Sequence, residues 1–236
     1  MIRDVLFDFD GVLADTEPCH FEAFRKLLSV CGIKLTREHY YEKYLGLDDR
    51  ACFRAVFRDF KKSLSEEREE ELVDQKNGEL LRLISEGNLI VPAAAEAVSF
   101  LKRKAYLAIV SGALRSEIEA ALRRAGIFDS FHTLVGAEDV SEGKPSPEGI
   151  LQAIKLLNRD HIPESEILLP AECLFVEDSP WGIEAAKRAG VPCLAITSSY
   201  PENRLKGANW VIKKPEEMIP FFEFILTPQN SRGLSE

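Results

Sequence analysis

The chain carries two textures of apolar and polar positions. It opens on a short apolar run, Val5-Leu6-Phe7, that stops in the acidic, glycine-bearing turn Asp8-Phe9-Asp10-Gly11, predicting a strand and its turn. From about 17 to 85 strand signals are sparse. Phe21, Phe24, Leu27, Leu28 and Cys31 recur at helical spacing, as do Phe53, Val56, Phe57 and Phe60. Ser65 ahead of Glu66-Glu67-Arg68-Glu69-Glu70-Glu71 reads as an N-cap with an acid-rich first turn, and the charge run as a solvated helix face. From Val91 onward strands and helices alternate. Strands are predicted at 106–110, 132–135, 173–176 and 193–196, with a last edge strand at 210–212. Helices are predicted at 117–125, 147–157 and 181–189, the first stopping at Gly126 and the last at Gly190.

Such alternation predicts βαβ units around a parallel sheet, with a helical block inserted between its first and second strands. The expected division is a core of 1–16 and 87–226, an insertion of 17–86 and a loosely held polar tail of 227–236. The length, 236 residues, suits one large domain or a domain with an insertion, able to bury a core without staples. A hydrophobic share of 45% beside 29% charged residues excludes a disordered chain. With 30 Lys+Arg against 39 Asp+Glu the net charge is −9 and no basic cluster occurs, which disfavours nucleic acid and anionic membranes as partners. No apolar run is long enough to span a bilayer, and acids interrupt the N-terminal apolar stretch, unlike a signal peptide. Cys19, Cys31, Cys52, Cys173 and Cys193 are odd in number and lack metal-ligand spacing, so reduced bystander thiols in a cytoplasmic setting are expected.

Ligands of an open parallel sheet bind at the carboxyl ends of its strands. The polar residues expected there are Asp8 and Asp10, then Ser111 and Gly112, then Glu177 and Asp178. Lys144, in Glu142-Gly143-Lys144-Pro145, can reach the same mouth. Singly, each has an ordinary explanation: turn chemistry, a helix cap or an exposed loop. Jointly they converge at sheet-end positions in one order, and acids so gathered repel unless a positive charge sits among them. A hard cation with oxygen ligands fits, and Mg²⁺ sharing its shell with phosphate oxygens and water is the default.

Asp8-Phe9-Asp10-Gly11-Val12 with Asp15-Thr16-Glu17-Pro18, then Ser111, Lys144 and Glu177-Asp178-Ser179-x-x-Gly182, resembles the four motifs of the haloacid dehalogenase-like phosphohydrolases. The resemblance runs to about Thr227. It points to the branch containing phosphoglycolate phosphatase, sugar-phosphate phosphatases and β-phosphoglucomutase. It implies an α/β fold, a Rossmann-like parallel-sheet core with an inserted small α-helical cap, and catalysis through an aspartyl-phosphate. Asp8 is then the nucleophile. Asp10 is the acid that protonates the leaving oxygen and the base that activates water. Asp8, the carbonyl of Asp10, Glu177 and Asp178 hold Mg²⁺. Ser111 with the amides of Gly112 and Ala113 grips the phosphoryl oxygens at the start of a helix, and Lys144 balances charge. In the cap, the resemblance places His20 and Lys76 against substrate and makes Tyr44-Leu45-Gly46-Leu47-Asp48-Asp49-Arg50 a selecting loop, with Gly46 and Arg50 as contacts. β-Phosphoglucomutase has an arginine three residues after that glycine. Here the place holds Asp49, and Arg50 follows one later. Thr16 to Pro18 and the segment near Gly87 are the expected hinges, and Trp181 reads as packing or a pocket wall.

The leading expectation is a Mg²⁺-dependent phosphatase, monomeric, acting on a small phosphorylated metabolite. A β-phosphoglucomutase-like mutase is the alternative, weakened by Asp49. A regulatory phospho-acceptor shares the acids and lysine but has no use for a cap or a second Asp two residues after the nucleophile. A dehalogenase does not need the leaving-group acid or the metal carboxylates. Sugar phosphates, phosphoglycolate and nucleoside monophosphates are not ranked by the sequence.

Overall fold

The computed structural model describes residues 2–226. Six strands form one sheet: β1 (Asp4–Phe7), β2 (Leu107–Val110), β3 (Thr133–Val135), β4 (Cys173–Glu177), β5 (Cys193–Ile196) and β6 (Trp210–Ile212). Their order is β3-β2-β1-β4-β5-β6 and every pairing is parallel. The fold is therefore α/β and Rossmann-like. β1, β2, β4 and β5 are buried along their length and, apart from Asp4 opening β1 and Glu177 closing β4, read as apolar runs, because helices cover parallel sheets on both faces. The order reverses between β1 and β4. Phe7 pairs with Val176, and Asp8 N donates to Val176 O at 2.9 Å, so the chain leaving β1 emerges beside the end of β4.

Contacts divide the chain into two units, Met1–Asp15 with Asn88–Glu236, and Thr16–Gly87. The second holds helices α1 (Glu17–Val30), α2 (Arg37–Lys43), α3 (Asp49–Asp59) and α4 (Glu66–Glu86). Side chains cap three of them: Thr36 accepts from His39 N, Asp48 from Ala51 N and Ser65 from Arg68 N. Phe24, Leu28, Tyr40, Phe53, Val56, Phe57 and Leu72 form their shared core. The acid run is not all solvated. Glu69 is buried, because Arg54 reaches it with Nε and Nη2 at 2.6 and 2.8 Å and Arg50 Nη1 at 3.3 Å.

In the first unit α5 (Pro92–Leu101), α6 (Arg115–Arg124), α7 (Glu148–Asp160), α8 (Pro180–Ala189) and α9 (Met218–Leu226) flank the sheet. The pattern reading did not single out α5 or α9. Pro92 at a helix start was the available signal for α5, whereas the nearly unbroken apolar run of α9 has no helical period. Most boundaries differ from expectation by one to three residues, and two of the shifts bring an acid into a buried strand. β1 begins at Asp4, a buried acid whose Oδ1 accepts from Tyr106 N at 2.7 Å, and β4 runs through Glu177. The polar tail of 227–236 lies outside the described residues. No helix among the described residues is long and apolar enough to cross a membrane, and all five cysteines are free thiols.

Candidate active site

The end of β4 and the turn after β1 bring Asp8, Glu177 and Asp178 together. One carboxylate oxygen from each lies within 4.8 Å of the others, and all three side chains are buried. Two glycines permit this. Gly11 has φ +75°, and a Cβ there would sit 1.9 Å from Asp178 Oδ2. A Cβ on Gly182 would lie 1.6 Å from Glu177 Oε1. Helix α8 starts just beyond the acids, with Pro180 in its first turn. Its cap Ser179 accepts from Gly182 N at 3.1 Å and donates to Glu177 Oε1 at 3.1 Å. One hydroxyl thus ties the helix start to the acid.

Lys144 Nζ bridges the group, 2.7 Å from Asp8 Oδ1 and 3.0 Å from Glu177 Oε1. Glu177 Oε2 accepts from the amides of Asp178 and, at 2.9 Å, Ser179. Burial works against the Glu177 charge, but Lys144 and these amides outweigh it and its pKa falls below the ordinary value. Burial likewise opposes the Lys144 ammonium, yet Asp8 and Glu177 hold its pKa above the usual lysine range. Asp8 and Asp178 move the other way. Burial raises both, with Glu177 and Asp10 adding to Asp8 against Lys144, and Glu177 and Asp8 adding to Asp178. Fully ionised, three carboxylates facing one ammonium would leave an excess of two negative charges, which is why Asp8 and Asp178 hold their protons until a cation arrives. Asp178 Oδ2 is buried without a hydrogen-bond partner. Oxygen donors, excess negative charge and an orphaned oxygen fit a hard divalent cation, and this cluster can hold one.

The other core candidates share this end of the sheet. Asp10 is half-buried, in a turn closed by Gly11 N to Ala14 O at 2.8 Å, and its carboxylate is outside the 4.8 Å group. Ser111 is buried, and its amide continues the β2–β3 pairing by donating to Val135 O at 3.0 Å. Ser111, Gly112, Gly143 and Lys144 line one cavity of about 240 Å³. Two details bear on the expected phosphoryl grip. Helix α6 starts at Arg115 behind Leu114 as its cap, two residues earlier than expected, so residues 111–113 form the loop that leads into it. The Ala113 amide donates to Ser111 Oγ at 3.0 Å, which leaves Gly112 as the loop amide for a ligand unless the serine rotates. The sequence reading overlooked Ser199. Its Oγ stands with Asp178 Oδ2 over Gly11, 2.9 Å from where a Cβ would be, and follows β5 with no motif to mark it. A cavity of about 950 Å³ lies at the opposite end of β1–β3 against Arg3, Asp4, Tyr106 and His132, and no candidate residue lines it.

The remaining candidates belong to the helical unit. Lys76 is 2% exposed. Its Nζ lies 2.8 Å from Asp49 Oδ1, 3.0 Å from His20 Nδ1 and 5.3 Å from the centre of the Phe24 ring. An ammonium only donates, so His20 accepts at Nδ1 and is neutral. Gly46 takes φ +80° in the loop between α2 and α3. Arg50 is engaged by Glu69 and, at 3.7 Å, by Glu70.

The model of the haloacid dehalogenase-like hydrolase family matches residues 2–190. The chain belongs to that family. The phosphorylated carbohydrates phosphatase of Thermotoga maritima is 30% identical over 228 residues, covering 94% of this chain and 99% of its own. The β-phosphoglucomutase of Bacillus subtilis is 26% identical over 221 residues, with 92% of each chain covered. Among solved structures, the CbbY protein of Rhodobacter sphaeroides in complex with xylulose-(1,5)bisphosphate superposes with a TM-score of 0.77 at 25% identity, covering 92% of this chain and 96% of its own. This haloacid dehalogenase-like protein is an enzyme of the phosphoric monoester hydrolase class. Membership removes the purely regulatory phospho-acceptor from consideration.

Proposed function

We propose that the protein is a Mg²⁺-dependent phosphatase that releases inorganic phosphate from a small sugar phosphate through an aspartyl-phosphate on Asp8. The observation that carries this reading is the buried group of Asp8, Glu177 and Asp178 with Lys144 across two of them, at the point where the strand order reverses. Asp8, the Asp10 carbonyl, Glu177 and Asp178 are the residues that would hold the ion. When bound, it neutralises the excess charge of the acids and of the phosphate.

An oxygen of Asp8 attacks phosphorus while the bond to the sugar oxygen breaks, and Asp10 gives that oxygen its proton. Water then attacks the phosphorus of the acyl phosphate, Asp10 takes the water's proton, and Asp8 leaves as carboxylate with phosphate. Lys144 keeps its charge throughout and holds Asp8 oriented, while Ser111 and the Gly112 amide bind phosphoryl oxygens. His20, Gly46, Arg50 and Lys76 are proposed contacts to the rest of the substrate. The phosphatase reading is favoured over the mutase one because the place of the mutase arginine holds Asp49, whose carboxylate pairs with Lys76 at 2.8 Å.

The test is a phosphate-release screen with Mg²⁺ across sugar phosphates, phosphoglycolate and nucleotides, with an Asp8→Asn control and a parallel readout of glucose 6-phosphate formed from β-glucose 1-phosphate. Phosphate release that falls by about a thousandfold or more in Asp8→Asn is the expected result. Release at the wild-type rate in that variant excludes the covalent route, and glucose 6-phosphate formed without phosphate release selects the mutase.

A further inference from the structure

Two aromatic residues sit on the segments that carry Asp178 and Ser199 and take no part in the chemistry above. Trp181 lies in the first turn of α8, three residues after Asp178, and is 44% exposed. Tyr200 directly follows Ser199, whose Oγ stands, like Asp178 Oδ2, within 3 Å of the space a Cβ on Gly11 would take. The two rings pack edge to face, centres 5.7 Å apart at 67°, and the Arg204 guanidinium lies 5.9 Å from the Tyr200 ring. Residues 197–202 and Lys213 line a cavity of about 400 Å³. A large indole left in water beside a polar site stabilises the fold little, whereas a ring fixed by an edge-to-face partner is a ready surface for an apolar face of a ligand.

We infer that Trp181, held by Tyr200, is a specificity-determining residue: it packs against the C–H face of a cyclic sugar, the leaving group, while the phosphate sits at the acids. This rests on the phosphatase reading and deepens it, by selecting ring-form sugar phosphates over acyclic phosphomonoesters. A pyranose offers a patch of C–H bonds flanked by hydroxyls. The indole takes the patch, and Ser198 with the Glu202–Lys213 ion pair (3.5 Å), in the cavity that Tyr200 also lines, offers polar partners to the hydroxyls. An acyclic leaving group has no such face to bury.

The test has two arms on the full chain. The protein has two tryptophans, so Trp210→Phe leaves Trp181 as the sole indole reporter. In that background with Asp8→Asn, titration with glucose 6-phosphate or β-glucose 1-phosphate in Mg²⁺ shifts the Trp181 emission, and glycerol 3-phosphate at equal saturation does not. In the catalytically intact chain, Trp181→Ala lowers the ratio of kcat/KM for cyclic over acyclic phosphomonoesters by about tenfold, through KM, and Trp181→Phe restores most of it. An unchanged ratio in Trp181→Ala, or emission that ignores every sugar phosphate, overturns the platform even where phosphate release is normal. Absence of phosphate release from all substrates, with Trp181 emission still responding to the sugar phosphates, overturns the phosphatase reading and leaves the platform standing.

Discussion

Protonation of His20 should decide how the helical unit responds to acid. Its Nδ1 accepts from the Lys76 ammonium at 3.0 Å, so the imidazole must stay neutral for that bond to exist. Burial first, and the Lys76 charge second, push its pKa from 6.5 down to about 3. A group whose folded-state pKa is depressed below its unfolded value favours folding in its neutral form. Its contribution is complete above about pH 6.5 and is lost as the pH falls toward 3. At 1.36 kcal/mol per unit, the drop from pH 7 to pH 5 removes about 2 kcal/mol, an upper figure because the ring keeps some exposed surface. His20→Gln keeps an acceptor for Lys76 without the titration. Urea unfolding followed by helical ellipticity at pH 7 and pH 5 should show wild type losing up to about 2 kcal/mol more than the variant over that interval. Proton resonances of the ring, one of only four imidazoles in the chain, should show His20 still neutral at pH 5. Equal acid losses in both proteins, or a ring titrating near 6.5, would refute the argument.

Two further outcomes follow from the acid cluster. Asp8 and Asp178 have raised pKa values in the metal-free protein, so Mg²⁺ binding at pH 7 should expel protons, and the release should vanish at high pH once both are ionised. Calorimetric titration in two buffers of different ionisation enthalpy measures it, and buffer-independent heats at pH 7 would count against the cluster as the ion's seat. Gly182→Ala puts a Cβ 1.6 Å from Glu177 Oε1, so the carboxylate must swing out. Activity should fall about 10–100-fold with a raised Mg²⁺ requirement, read from phosphate release against Mg²⁺ concentration, and a wild-type Mg²⁺ curve would contradict the packing argument.

Much of this protein was legible along its chain because parallel strands and amphipathic helices write themselves as local patterns. Val5 to Phe7 could be nothing but a buried strand, and Phe24, Leu28, Phe53 and Phe57 lie on the core faces their spacing indicates. Element ends were less legible. Glu177 closes β4, although an acid rarely ends a buried strand, because Lys144, two amides and Ser179 satisfy it from three-dimensional neighbours. Glu69 looked solvated in an acidic run until Arg50 and Arg54 on another helix buried it.

The sequence by itself determined the fold class, the parallel alternation, the helical insertion and the residue types that can bind a cation and a phosphate. Periodicity and motif spacing are properties of neighbours in the chain, and they survive without knowledge of the fold. Only the tertiary structure decided which of those residues meet. It set Asp178 Oδ2 and Ser199 Oγ over Gly11, gave Lys144 to Asp8 and Glu177, and committed Asp49 to Lys76 and Arg50 to Glu69. The reason is distance: charge, burial and hydrogen bonding act over a few ångströms in space, and the groups they join here are up to about 190 residues apart in sequence.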